Sequence, residues 1–187
     1  LHYIGKLHNE HGSSFKKHFS YPFHQVKKFS TQKIGTFLNR VDVTDAYFGS
    51  SAYIDLVQAL QLKVSHADIS FSAPLFFNAS IEAGDIKVSN LFNLYRFEDH
   101  LYTLRLTGQE IKNYLEMSYS NWVQQMTSPN DTMLLIGPMK SNPSRIGFKN
   151  FIFNFDSAAG IRYEVDLRKP CGDKINILSM DDGSPFL

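Results

Sequence analysis

Five of the seven histidines fall at positions 2, 8, 11, 18 and 24, so metal chemistry is the first possibility this sequence raises. Within that stretch His8-Asn9-Glu10-His11 would set two imidazoles on one face of a helix. A zinc hydrolase of the His-Glu-x-x-His type needs a four-residue spacing with the general base built in, and this segment has neither. With Lys16, Lys17, Lys27 and Lys28 among the histidines, the stretch reads as a solvated polar arm, with metal binding as the minor alternative.

Cys171 is the one thiol. It excludes an intramolecular disulfide and any cysteine cage for a metal, both of which need a second thiol. Its place between Pro170 and Gly172, with no histidine near in sequence, makes it a turn residue rather than a nucleophile. Gly-x-Ser-x-Gly and Gly-x-x-x-x-Gly-Lys are both absent, which removes the serine-hydrolase and P-loop readings. A two-metal phosphatase centre draws on segments such as Asp-x-His, Asn-His-Glu and His-x-His, and none occurs here. The sequence therefore offers no recognisable catalytic residue set, cofactor loop or phosphatase metal centre.

Lys and Arg number 19 against 18 Asp and Glu, so overall charge directs the chain to no nucleic-acid polymer or anionic surface. No apolar run has the length of a membrane span. The chain opens on Leu1 rather than Met, as expected of a piece of a longer protein, and a lost leader is compatible with it. At 187 residues, 43% of them hydrophobic, it is long enough to bury a core.

The elements that would position a site are read from periodicity. Phe15, Phe19, Val26 and Phe29 suggest helical turns interrupted near Pro22, and residues 33–41 suggest a strand. Ser50 or Ser51 caps a helix reaching Lys63, with Ala52, Ile54, Leu56, Ala59 and Leu60 inward and Asp55, Gln58 and Gln61 outward. Ala67, Ile69, Phe71 and Ala73 alternate with polar residues as a half-buried strand ending at Pro74. Thr107-Gly-Gln-Glu110 is a capping box, which predicts a helix with Ile111, Tyr114, Leu115 and Trp122 on its inner stripe and Glu116 off it. Leu101 to Leu106 would be its feeder strand. Residues 127–149 hold three of the seven prolines and predict a long, weakly ordered loop. Alternation at Ile161, Tyr163, Val165 and Leu167 and at Ile175 and Ile177, around the turn Lys169 to Asp173, predicts a hairpin. Together these imply an α+β fold, a mixed or largely antiparallel sheet with helices packed on it.

An ordered series of segments carries a resemblance. The chain reads Ile-Glu-Ala-Gly-Asp-Ile from position 81, Leu-Phe-Asn-Leu-Tyr-Arg-Phe-Glu-Asp from 91, and Leu-Thr-Gly-Gln-Glu-Ile from 106. Ser-Ala-Ala-Gly-Ile-Arg-Tyr-Glu-Val-Asp follows from 157, then the Lys-Pro-x-Gly-Asp-Lys hairpin and Asp182-Gly-Ser-Pro185. This series resembles the C-terminal domain of the 5'-nucleotidase and 2',3'-cyclic-nucleotide phosphodiesterase family, and looks closest to its Bacteroides-type branch. The likeness starts near Ile34. It implies residues 1–32 as a polar arm or interdomain helix and 33–187 as a nucleotide-binding domain.

In that family the N-terminal domain holds two divalent metal ions and the C-terminal domain recognises the nucleoside. The resemblance thus implies nucleosides or nucleotides and an N-terminal metallophosphatase domain of the same chain as partners, an exported setting in the periplasm or at the cell surface, and an inactive fragment. The family's first base-stacking ring corresponds to Phe97. Asp99 falls where relatives often have an amide touching the base, and an exposed loop acid is the alternative. Asn78 stands where many relatives have an arginine holding ligand oxygens, and Arg96 could supply a cation instead or simply face solvent. The family's second ring lies in a glycine-rich loop beyond the last hairpin, and the sequence ends at Leu187 before it. A binding or interaction module without catalysis is the rival reading.

Overall fold

The structure, a computed structural model, describes residues 17–76 and 79–186. In chain order, residues 17–30 form helix α1, followed by strands β1 (Lys33–Phe37) and β2 (Val41–Asp42), helix α2 (Ala52–Ser65) and strand β3 (Ser70–Ser72). Strands β4 (Ser80–Ile81) and β5 (Gly84–Lys87) lead into helices α3 (Val88–Leu94) and α4 (Gly108–Trp122). The chain ends with β6 (Ile136–Met139), β7 (Asn142–Phe148), β8 (Ser157–Ala159), β9 (Ile161–Val165) and β10 (Ile175–Met180). It divides into two compact units, residues 1–40 with 81–96, and residues 41–80 with 97–187.

In the first unit β1 pairs antiparallel with β5, Phe37 facing Gly84 and Lys33 facing Lys87. Lys33 and Asp85 form an exposed ion pair at 2.6 Å across that ladder. Helix α1 runs unbroken through Pro22, not in interrupted turns. Pro22 can donate no hydrogen bond, while the side chains of Ser20 before it and His24 after it bond to the carbonyls of Lys17 and Ser20 respectively. Helix α3 starts where Asn90 Oδ1 accepts the Lys87 N–H at 2.7 Å, and it ends at Tyr95 in extended backbone.

The second unit holds the main core. Helix α4 begins at the expected capping box, with Thr107 Oγ1 accepting the Glu110 N–H and the Glu110 carboxylate accepting the Thr107 N–H. Its buried face of Ile111, Leu115, Tyr119 and Trp122 packs with Tyr47, Phe155, Ile161 and Ile175. Strands β9 and β10 form the expected antiparallel hairpin, and β3 pairs antiparallel with β8. The α+β expectation holds, with small antiparallel ladders in place of one broad sheet.

Several expectations are corrected. Gln58 is buried and donates to the Ser157 carbonyl at 2.8 Å, while Leu56 and Leu60 are exposed, so the inner face of α2 runs through Tyr53, Ile54 and Gln58. The amide finds a carbonyl to bond, which removes most of the cost of burying it. In β3 the serines are the buried residues: Ser70 Oγ donates to Gln61 Oε1, and Phe71 is only half-buried. Residues 101–106 form no strand, and Tyr102 and Leu104 stand 78% and 73% exposed. Residues 127–149 are ordered by the antiparallel β6–β7 ribbon, with Pro138 facing Ile146. Both strands of a two-stranded ribbon are edges, so a proline can sit there with its donor-free side outward. Glu116, placed off the inner stripe, is buried.

Candidate functional site

The site is built in the second unit around Phe97, just beyond the end of α3. The residue is 52% exposed, so it is not one of the phenylalanines that fill the core. Parallel to it lies the ring of Phe76, with centroids 6.0 Å apart and an interplanar angle of 7°. These rings come from segments far apart in sequence, and tertiary folding brings them face to face.

The segment carrying Phe76 is anchored from below. Pro74 is fully buried just past the end of β3. The Phe76 carbonyl accepts a hydrogen bond from the Tyr47 hydroxyl at 3.2 Å, and the Leu75 backbone bonds the hydroxyl of Tyr53. Both tyrosines are fully buried, and burial pushes both phenols above their ordinary pKa, so both stay neutral at physiological pH.

Tyr47 in turn belongs to a run of ring contacts that crosses the core. It stacks on Phe148 at 4.9 Å, and Phe148 meets Phe155 edge-on at 5.4 Å. Phe155 lies parallel to Trp122 at 5.8 Å, which stacks on Tyr119 at 4.8 Å. Aromatic pairs in such geometries add about 0.5–1.5 kcal/mol each beyond the area they bury. The backbone under Phe76 is thus tied to the best-packed part of the unit.

The other expected site residues are placed less tightly. Asp99 is exposed in the stretch 97–106, which has no helix or strand. Arg96 is exposed at the end of the first unit's sequence. Asn78 lies outside the described residues, as do His2, His8 and His11. His18 and His24 are exposed on α1. Among the described residues no cluster of His, Cys, Asp and Glu could hold a metal ion. Cys171 is exposed in the β9–β10 turn.

Phe76 is the residue that sequence reasoning missed. Its one signal is position, shortly after the strand-ending Pro74 and two residues before Asn78, which stands where many relatives have an arginine. A concavity of about 510 Å³ in this unit is lined by Asp55, Gln58, Arg162, Tyr163 and Asp181, and includes none of the expected site residues. Its polar groups largely bond one another: Ser50 to Asp55, Tyr119 to Tyr163, and Arg162 to the Asp181 carbonyl.

The second unit of this α+β chain thus displays a pair of parallel rings, Phe76 partly and Phe97 half exposed. Residues 30–186 match the model of the 5'-nucleotidase C-terminal domain, and the chain belongs to that family. It is 33% identical over 95 residues to the trifunctional nucleotide phosphoesterase protein YfkN of Bacillus subtilis, a match covering 50% of this chain and 6% of that one. It is 30% identical over 92 residues to the 2',3'-cyclic-nucleotide 2'-phosphodiesterase/3'-nucleotidase of Haemophilus influenzae, covering 48% of this chain and 12% of the relative. Among solved structures, a Staphylococcus aureus chain described as a 5'-nucleotidase superposes with TM-score 0.66 at 19% identity, over 87% of this chain and 31% of its own. The 5'-nucleotidase precursor of Thermus thermophilus gives 0.57 at 19%, over 92% and 31%. These likenesses show the fold. The chain spans under a third of each solved relative and a smaller share of the curated ones.

Proposed function

We propose that this domain grips the nucleoside part of a nucleotide by stacking the base on Phe97, and presents the phosphate to a metallophosphatase domain of the same protein. The observation that carries the reading is a half-exposed ring, at the family's stacking position, facing a second parallel ring. Stacking on a ring contributes about 1–3 kcal/mol per base and tolerates any base, since every base has a π-face.

In this reading Asp99 accepts hydrogen bonds from exocyclic amino groups, because an ionised carboxylate can only accept. Arg96 offers a cation to ribose or phosphate oxygens, and Asn78 replaces the family arginine with an uncharged contact. Hydrolysis of a phosphate ester is the work of the partner domain, where the two divalent metal ions would sit. The isolated domain would be inactive. The Bacteroides-type branch and an exported, periplasmic or surface setting are part of the same proposal.

The test is Phe97→Ala in the full-length protein. KM for nucleotides should rise about tenfold or more, while hydrolysis of a small base-free phosphate ester stays nearly unchanged. Equal losses on both substrates would reject the stacking role. A module that only meets other proteins is the competing reading, supported by the exposed Phe23, Val26 and Phe29 of α1. It predicts no saturable response of the chain to adenosine.

A further inference from the structure

We infer that α1 is a membrane-surface helix, whose aromatic stripe beds into the interface of an anionic phospholipid bilayer while its lysines meet the headgroup phosphates. The near-zero charge of the whole chain hides an uneven division. The first unit, residues 1–40 with 81–96, holds nine Lys and Arg against three Asp and Glu. The second holds ten against fifteen, which completes the chain's 19 and 18. No acidic residue lies between Glu10 and Asp42, a run that includes all of α1. Charge separated in this way within one chain points the basic part toward an anionic partner.

The residues of α1 are sorted by face. At about 3.6 residues per turn, Phe19, Pro22, Phe23, Val26 and Phe29 fall on one stripe about 120° wide, and Lys17, His24, Lys27 and Lys28 fall outside it. The stripe is not buried: Phe19, Phe23, Val26 and Phe29 are 48%, 62%, 66% and 58% exposed. A helix of this length is marginal in water by itself, so α1 gains order from whatever covers the stripe.

Anionic lipid is the cover that fits. Bulky apolar residues on one face and lysines on the other are the pattern of helices that lie in a bilayer interface. A nucleic-acid backbone needs cations on the contacting face, and here that face is apolar. Among the described residues no helix is long and apolar enough to cross a membrane, so the attachment lies in the plane of the surface.

Co-sedimentation of the full-length protein tests the proposal, with vesicles of phosphatidylcholine alone and of equal parts phosphatidylcholine and phosphatidylglycerol. The protein should bind the mixed vesicles, leave the neutral ones largely free, and be released by about 0.5 M NaCl. Each lysine near an anionic surface contributes about fivefold in partition, so Lys17→Gln, Lys27→Gln and Lys28→Gln together should lower it about a hundredfold. Phe19→Ser with Phe23→Ser should lower it about tenfold or more. All these positions are exposed, so circular dichroism and Tm should match the unsubstituted protein. Hydrogen exchange at residues 17–30 should be fast without vesicles and slow on the mixed ones. Absence of binding, equal binding to both vesicles, or unchanged partition in either variant would overturn the proposal. Slow exchange without vesicles would overturn it too, since the stripe is then already covered, by a second copy if the protein sediments as a dimer and by the rest of the same protein if it is a monomer. Were the variants to misfold, the salt dependence and the two vesicle types still decide the question on the unsubstituted protein.

Discussion

Glu116 offers the sharpest test of how the domain holds its shape. Midway along α4, 5% exposed, its carboxylate accepts three backbone N–H bonds from the β9–β10 turn. Oε1 takes the Ile175 N–H at 2.7 Å, and Oε2 takes those of Lys174 and Gly172, each at 3.1 Å. The turn is closed from its other side by buried Lys174, whose Nζ donates to the Lys169 carbonyl at 2.7 Å. Gly172 is exposed, so its N–H finds water when the carboxylate is removed. Lys174 and Ile175 are buried, and each orphaned donor there costs about 1–3 kcal/mol. Glu116→Ala should therefore destabilise by about 4 kcal/mol. Glu116→Gln keeps one acceptor for Ile175 and turns an amide N–H₂ toward two donors, for a loss of about 2 kcal/mol. At this chain length each kcal/mol moves Tm by about 2–4 °C, so thermal unfolding should show drops of about 12 °C and about 6 °C. A Glu116→Gln Tm within about 1 °C of the unsubstituted chain would refute the reasoning, because the carboxylate would then be replaceable by any acceptor.

Two more predictions follow from single positions. Gly160 has φ +92° between β8 and β9, and a Cβ there would sit 2.0 Å from the Asp68 carbonyl oxygen, so Gly160→Ala should destabilise by about 3 kcal/mol or more, or prevent folding, as read by urea unfolding. Burial raises the Asp156 carboxyl above its ordinary value of 3.8, only partly offset by the hydrogen bond from Tyr114. The folded state then binds the proton more tightly than the unfolded one, so this group's contribution is fully present below the unfolded value and is lost as pH rises through the raised one. Asp156→Asn, which keeps an acceptor for Tyr114, should gain stability relative to the unsubstituted chain as pH rises from about 4 to about 7. An equal or opposite trend in denaturant midpoints against pH would contradict the assignment.

The parts of the fold that local physics determines were legible in the sequence. The Thr107–Glu110 box needs only four residues to satisfy its own donors, and the β9–β10 hairpin needs only alternation around a turn. Elements that depend on a distant partner were not legible. Leu101 to Leu106 has the alternation of a strand, but β3 takes β8 as its neighbour and residues 101–106 remain outside any ladder. The polar side chains of Gln58 and Glu116 predict solvent faces, and each is buried because a specific backbone group elsewhere meets it. No periodicity encodes such a meeting.

The same distinction runs through the candidate site. Phe97 is singled out by its motif alone, whereas the Phe76 ring comes within 6.0 Å of it only through folding. What makes that placement reproducible is the support beneath it. Tyr47 bonds the Phe76 carbonyl with its hydroxyl and packs its ring on Phe148, which meets Phe155 beside Trp122 at the centre of the core. Core packing and the surroundings of Phe97 are therefore one problem in this unit, because any change that shifts Tyr47 shifts the ring lying parallel to Phe97. Phe97 lies outside that scaffold, at the start of a stretch with no regular structure. Stacking on an exposed ring tolerates any base, which suits the recognition proposed for this domain.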